Sequence, residues 1–357
     1  MFPEVVQKYI QLGIDFSNSH PTIDKTHLPK KWPLNWFRVP VALPELHDGL
    51  KADFRHLALL WKKVELAMAA FPLSDEEVKN MFLAGISLDP YLFERYFKKC
   101  PAPWELTRLD ISTDLTAHSF TNKTWVVEAE RFPLALARGM ASDLVYYGDT
   151  GWTKWLQRVM KDSDDPQGLI LVLMAAELDV TERPLMEWVT KVWTRLSGIR
   201  VEFLTTDSIG RIRIEQGKIF LEDHRVSIIY RMFPPRKVGN GRLLDLIKAC
   251  DKGYAQLLPS PGHFGNKVWW PLLTNNQHNT FWRNQVGNEW ENFRKKLAHS
   301  VLLLPDTTFP IFIKDKEIMD WQHLANLDNE IRESFVIKTA GEVSGAAASK
   351  GVSVGGG

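Results

Sequence analysis

Residues 106–132 read LTRLDISTDLTAHSFTNKTWVVEAERF, two runs of alternating apolar and charged residues around a polar turn. Side chains alternate faces along a strand, so Arg108 and Asp110 are expected on one side and Leu109 and Ile111 on the other. On the return strand Glu128 and Glu130 are expected to share a side, with Trp125, Val127 and Ala129 opposite. Antiparallel pairing then makes one apolar face and one face carrying an arginine with three carboxylates. Crowded carboxylates repel one another unless a cation neutralises them. An all-oxygen ligand set suits Mg2+ or Mn2+, with phosphate oxygens completing the shell. An arginine beside such a set can clamp a phosphoryl group or a developing oxyanion. Taken alone, the segment is equally compatible with a plain hairpin whose polar outer face carries surface ion pairs.

The whole chain narrows the classes. Its 357 residues exceed one compact core and predict two or three domains. Hydrophobic residues at 45% and charged residues at 24% are globular values. A formal net charge of +1 argues against a broad surface for nucleic acid. Cys100 and Cys250 are too few for a disulfide framework or a cysteine-rich zinc site, which points to a reducing cytosol. The opening MFPEVVQKYIQLGIDF lacks a basic segment followed by an apolar core, and no apolar run approaches the ~20 residues of a membrane span. A cytoplasmic protein with no nucleic-acid and no membrane partner is therefore expected. The histidines form no HExxH pair, and no Ser/His/Asp or Cys/His constellation is visible.

Upstream of the hairpin, residues 1–43 are proline-punctuated and read as an arm. Leu50, Phe54, Leu57, Leu60, Trp61, Val64 and Met68 then recur at three- and four-residue spacing, which predicts a helix ended by Pro72. Ser74 and Glu77 form a capping-box pattern for a second helix, and a third is expected over 91–97. Downstream, helices are expected over 134–144 and 152–160, ahead of the acidic turn KDSDDPQG. GLILVLMAA, RPLMEWVTKVWTRLSG and RVEFLTT read as strand, helix and strand, a βαβ unit that predicts a parallel sheet. RIRIEQGKIFLED predicts a hairpin turning at Gln216 and Gly217, and RVSIIYRMF a buried strand ending at Arg231. A helix over 243–250 and the strand YAQLLPS continue the alternation, and another helix is expected over 281–297. No GxGxxG follows the strand at Gly168, which argues against a dinucleotide oxidoreductase. The last stretch, SFVIKTAGEVSGAAASKGVSVGGG, reads as a strand delivering Lys338, a loop of small residues and a returning strand. Small residues let backbone N–H groups approach phosphate, and a lysine can reach it as a point charge.

Taken together, these stretches resemble the ATP-grasp ligases. RLD followed by EAE resembles that family's metal-binding core, an Arg-x-Asp strand paired with a Glu-x-Asn strand. FVIKTAGEVSGAAASKGVSVG resembles its first nucleotide-binding strand and phosphate loop, and the βαβ block resembles its pre-ATP-grasp domain. The order is reversed relative to most of the family, and resembles the circularly permuted branch typified by glutathionylspermidine synthase. The resemblance spans about 110 to 357.

It implies an α/β (α+β) chain with an ATP-grasp-like fold in permuted order. An arm and helical region would occupy 1–100, the metal-binding part of the core 101–162, a pre-ATP-grasp-like domain 163–275, and the start of a nucleotide-binding lobe 276–357. It further implies ATP and Mg2+ (or Mn2+) as cofactors, with small-molecule or peptide carboxylate and amine substrates as partners. Asp110, Glu128 and Glu130 would bind metal, and Arg108 would act catalytically on the oxyanion or phosphoryl group. Lys338, Ser344, Gly345, Ser349, Lys350 and Gly351 would hold the ATP phosphates, and Arg231 would be a substrate contact or a boundary arginine.

The sequence departs from the family at Glu130, where asparagine is usual, and at Thr339, where proline is common. The family pattern also continues past the point that Gly357 occupies, with further strands, a second lysine and an adenine hinge. The implied activity is an ATP- and Mg2+-dependent carboxylate–amine ligase. The alternative is an inactive nucleotide-binding or scaffold protein with the same fold.

Overall fold

The structure is a computed structural model, and it describes residues 47–82, 89–98, 108–113, 117–130, 152–176, 179–233, 241–259, 267–303, 307, 309–313, 316–328, 336–337 and 352–353. The sequence-predicted arm over 1–43 and helix over 134–144 lie outside them. The described residues fall in two compact units, one within Arg131–Pro261 and the other drawn from Leu43–Pro103, Thr107–Glu130 and Gly262–Gly357.

The composite unit begins with helix α1, Asp48–Ala69, whose stripe buries Leu50, Leu57, Leu60, Trp61, Val64 and Met68. Helix α2, Asp75–Phe82, starts with the expected reciprocal cap. The Ser74 backbone N–H donates to Glu77 Oε2 at 2.8 Å, and the Glu77 N–H donates to Ser74 Oγ at 3.2 Å. Helix α3 follows at Pro90–Lys98, then strands β1, Arg108–Ser112, and β2, Trp125–Glu130.

The sheet unit opens with helix α4, Trp152–Lys161, and strand β3, Leu169–Met174, every residue of which is buried. Helix α5, Asp179–Ser197, ends at Gly198, whose φ of +71° is the left-handed conformation that stops a helix cheaply. Strand β4, Val201–Thr205, returns parallel to β3. Strands β5, Ile212–Glu215, and β6, Lys218–Leu221, form the expected hairpin, with Gln216 at φ +49° and Gly217 at φ +77° in its two-residue turn. Strand β7, His224–Met232, pairs with β3 in parallel along its length. Its other edge takes β6 near its start, antiparallel, and β8, Gln256–Leu258, further on, in parallel after helix α6, Gly241–Asp251. The parallel strands thus run β4, β3, β7, β8 across the sheet, and the chain leaves β3 and β7 in opposite directions. That divergence between β3 and β7 is a topological switch point.

The chain then re-enters the composite unit through α7, Trp269–Thr274, α8, Asn279–Val286, and α9, Trp290–Arg294. Trp269 and Trp270 are buried with Trp61 and Trp282 in the composite core. The helix expected over 281–297 is broken at Gly287, whose φ of +95° no ordinary side chain adopts comfortably. Short strands β9, Ile311–Ile313, and β10, Lys316–Ile318, pair antiparallel ahead of helix α10, Trp321–Ala325. Strands β11, Val336–Ile337, and β12, Val352–Ser353, also pair antiparallel. Among the described residues no helix is long and apolar enough to cross a membrane.

Aromatic packing dominates the composite core. Trp282 is fully buried and stacks on Phe71 at 5.0 Å and on Trp290 at 5.6 Å, while its indole N–H donates to the Leu272 carbonyl at 3.0 Å. Removing that ring forfeits both its apolar burial and its stacked partners, so Trp282→Ala is expected to cost about 3–5 kcal/mol of stability in urea unfolding.

The same unit carries a half-buried His278 and a more exposed His299. Burial pushes His278 below its ordinary value of 6.5, opposed by the Glu77 charge, and burial with the Arg294 charge does the same to His299. A group with a lowered folded value binds more protons unfolded, so the stability it contributes is present above 6.5 and is lost as pH falls below it. Unfolding midpoints measured from about pH 7.5 down to about pH 5 should therefore fall, and the double variant His278→Gln/His299→Gln should fall less steeply.

Candidate functional site

The β1–β2 hairpin sets Arg108 opposite Glu130, Leu109 opposite Ala129 and Asp110 opposite Glu128. The register then shifts, and Ile111 faces Val126 and Ser112 faces Trp125, which leaves Val127 as the extra residue of a β-bulge. The bulge corrects the face reading of the sequence. Val126 and Ala129 are buried, and Trp125, expected beside Ala129 on the apolar side, is 40% exposed. A bulge flips the alternation because it inserts one residue into a pattern of period two. Leu109 and Ile111 complete the face that packs on the aromatic core. Positions 108, 110, 128 and 130 are the ladder positions that alternate with Leu109 and Ala129.

Directly opposed like charges destabilise a ladder, and opposed Cβ atoms lie about 5 Å apart. An Asp–Glu pair at such positions, with a further Glu two residues on, therefore fits a hard divalent cation, since each member offers only oxygen donors. Among the described residues no three His, Cys, Asp or Glu side chains gather into a metal-sized cluster.

Three sets of contacts hold this hairpin in place, and sequence reasoning singled out none of those contacts. From α1, the Asp53 carboxylate accepts from the Ser119 hydroxyl and from the Phe120 backbone N–H at 2.6 Å. Beside it the His47 and His118 rings stack at 3.7 Å, and Phe54 meets Phe120 edge-on at 5.1 Å. Gly49 lies so close that a Cβ there would stand 2.4 Å from the His118 carbonyl oxygen, so only glycine allows the approach. From the segment after α9, the Val126 N–H donates to the Lys296 carbonyl at 2.6 Å and the Ala298 N–H donates to the Val126 carbonyl at 3.2 Å. Lys296 Nζ also donates to the Thr121 carbonyl at 2.5 Å. Within the turn, the Thr113 and Thr124 hydroxyls share a 2.8 Å hydrogen bond. The partners on α1 and after α9 lie tens to hundreds of residues away, and no local pattern announces them.

The phosphate-loop candidates Lys338, Ser344, Gly345, Ser349, Lys350 and Gly351 lie outside the described residues. Their flanks do not: Val336 pairs with Ser353 and Ile337 with Val352, so the segment leaves one strand and returns on its antiparallel neighbour.

Arg231 sits in the sheet unit near the carboxyl end of β7, beside the switch point where open parallel sheets place ligand crevices. It is buried, its Nε donates to the Pro259 carbonyl at 3.2 Å, and its guanidinium also donates to the Phe233 carbonyl and lies over the Phe233 ring. These bonds tie the ends of β7 and β8 together. At the neighbouring edge, Arg183 donates to the Thr205 hydroxyl at 3.4 Å, and the Thr205 hydroxyl bonds Asp207 and lowers its carboxyl below the usual range. Lone polar residues at strand ends carry no spacing signal, so that group was invisible in the sequence.

No family model matches the chain, and no curated protein does. Among solved structures it is similar to a glutathione synthetase-like effector from Globodera pallida in its apo form, at 15% identity and a TM-score of 0.38. That likeness covers 69% of this chain and 59% of the effector.

Replacing Arg231 by leucine leaves the Pro259 and Phe233 carbonyls without its charged donor in a buried place. We expect Arg231→Leu to lower unfolding stability by about 1.5–3 kcal/mol, read from the urea midpoint.

Proposed function

We propose that this protein is an ATP- and Mg2+-dependent carboxylate–amine ligase of the permuted ATP-grasp type, working through an acylphosphate. The observation that carries the reading is the β1–β2 register, which sets Asp110 against Glu128 and Arg108 against Glu130 on a hairpin whose other face is core. The strand–loop–strand at β11–β12, with Lys338 following β11, supports it as the phosphate-binding half.

In this reading Asp110, Glu128 and Glu130 hold the metal, which when bound neutralises the phosphate oxygens and the carboxylates together. Lys338 and the small-residue loop from Ser344 to Gly351 orient the ATP phosphates. Arg108 stabilises charge on the transferring phosphoryl group or on the oxyanion of the later step. The γ-phosphoryl passes from ATP to the substrate carboxylate and ADP leaves. An amine then attacks the acyl carbon and gives up a proton, phosphate leaves with the C–O bond electrons and can carry that proton, and an amide remains. No side-chain nucleophile is needed, since positioning and charge neutralisation supply the catalysis.

The second reading is a nucleotide-binding or scaffold protein without turnover. Glu130 favours it, because a third carboxylate in place of asparagine adds negative charge where phosphate must enter.

ADP release that requires Mg2+, an acid and an amine separates the two. Under the ligase reading Asp110→Ala and Glu128→Ala each lower turnover by at least about a hundredfold, through lost phosphoryl-group positioning and charge neutralisation. Unchanged turnover in both variants removes the ligase reading. ATP binding by calorimetry with no ADP release under any acid and amine pairing favours the scaffold.

A further inference from the structure

The carboxylate hairpin is short, and the residues that set its register lie outside it. A two-stranded ladder is marginal in water, and its register slips readily unless a turn or a buried face pins it. Here the bulge at Val127 decides which residues of β2 face the core and which oppose Asp110. Moving that bulge by one position would set Val127, and not Glu128, against Asp110.

Two anchors hold it. The segment Lys296–Ala298 grips Val126 on the β2 side through two backbone bonds. The turn end is gripped from α1, where Asp53 takes the Ser119 hydroxyl and the Phe120 N–H on one carboxylate oxygen. The surrounding contacts are built for that approach: Gly49 against the His118 carbonyl, His47 stacked on His118, and Phe54 against Phe120. Asp53 is half-buried, and α1 itself is locked into the aromatic core by Leu57, Leu60, Trp61 and Val64. A carboxylate on a rigid helix that accepts two turn donors transmits the position of the core to the turn.

We propose that Asp53 is a positioning residue of the metal site: from α1 it holds the β1–β2 turn and so fixes the register that sets Asp110 opposite Glu128. This rests on the metal-binding reading of the hairpin given above. In this role Asp53 is not itself a ligand of substrate or metal. It acts through Ser119, Phe120 and the ladder, as outer partners orient ligands elsewhere.

The test is Mn2+ affinity of the full chain, titrated by electron paramagnetic resonance of the free ion at a temperature where circular dichroism shows every variant folded. Asp53→Ala is expected to weaken Mn2+ binding about ten- to hundredfold, the usual effect of losing an outer orienting partner. Asp53→Asn keeps a carbonyl oxygen for the two donors and should restore most of the affinity. Met68→Ala, about 22 Å further along the same helix at 1.5 Å per residue, removes a buried side chain and should leave Mn2+ affinity as it was.

That last variant separates positioning from general weakening. Equal affinity in wild type and Asp53→Ala overturns the inference while leaving the metal site standing. The same loss in Met68→Ala as in Asp53→Ala overturns it too, since fold stability would then account for the effect. No saturable Mn2+ binding by the wild-type chain overturns the metal reading and this inference together.

Discussion

A hairpin of two strands has two open edges and one face to bury, and it holds a unique shape only when something larger accepts that face. In this protein the acceptor is an aromatic core assembled from both ends of the chain, with Trp61 from α1 and Trp269, Trp282 and Trp290 from beyond the sheet unit. Val126 and Ala129 enter that core with almost no exposure. Any chemistry at the charged positions of β1 and β2 depends on this burial, because it fixes the ladder in which those positions alternate with Leu109 and Ala129.

The sheet unit solves a different problem. Strands β3 and β7 are buried along nearly their whole length, as strands of a parallel sheet must be, and their composition is correspondingly aliphatic. Polar side chains collect where the strands end. There Arg231 bonds carbonyls from Phe233 and Pro259. Deep in such a sheet an arginine is costly unless its donors are satisfied, and backbone carbonyls at strand ends are the acceptors available.

Much of the fold was legible in the sequence for a local reason. The stripe of α1, the capping box of α2, the glycine stop after α5 and the Gln216–Gly217 turn each depend on residues within a few positions of one another. The βαβ pattern was legible likewise, since alternation of element types implies parallel strands with crossover helices. Where the reading went astray, the cause was also specific. One expected helix became two because Gly287 takes a positive φ, and the face of Trp125 was inverted because a bulge inserted Val127.

The sequence by itself determined that Arg108, Asp110, Glu128 and Glu130 recur at strand spacing around a polar turn. It also determined that a strand would lead to Lys338 and return after a loop of small residues, as β11 and β12 do. Only the tertiary structure decided the register between those strands, the bulge at Val127 and the grip of Asp53 and Lys296–Ala298 upon the hairpin. The reason is physical: strand periodicity is set by neighbouring residues, while register is set by burial and by bonds to partners far away in the chain.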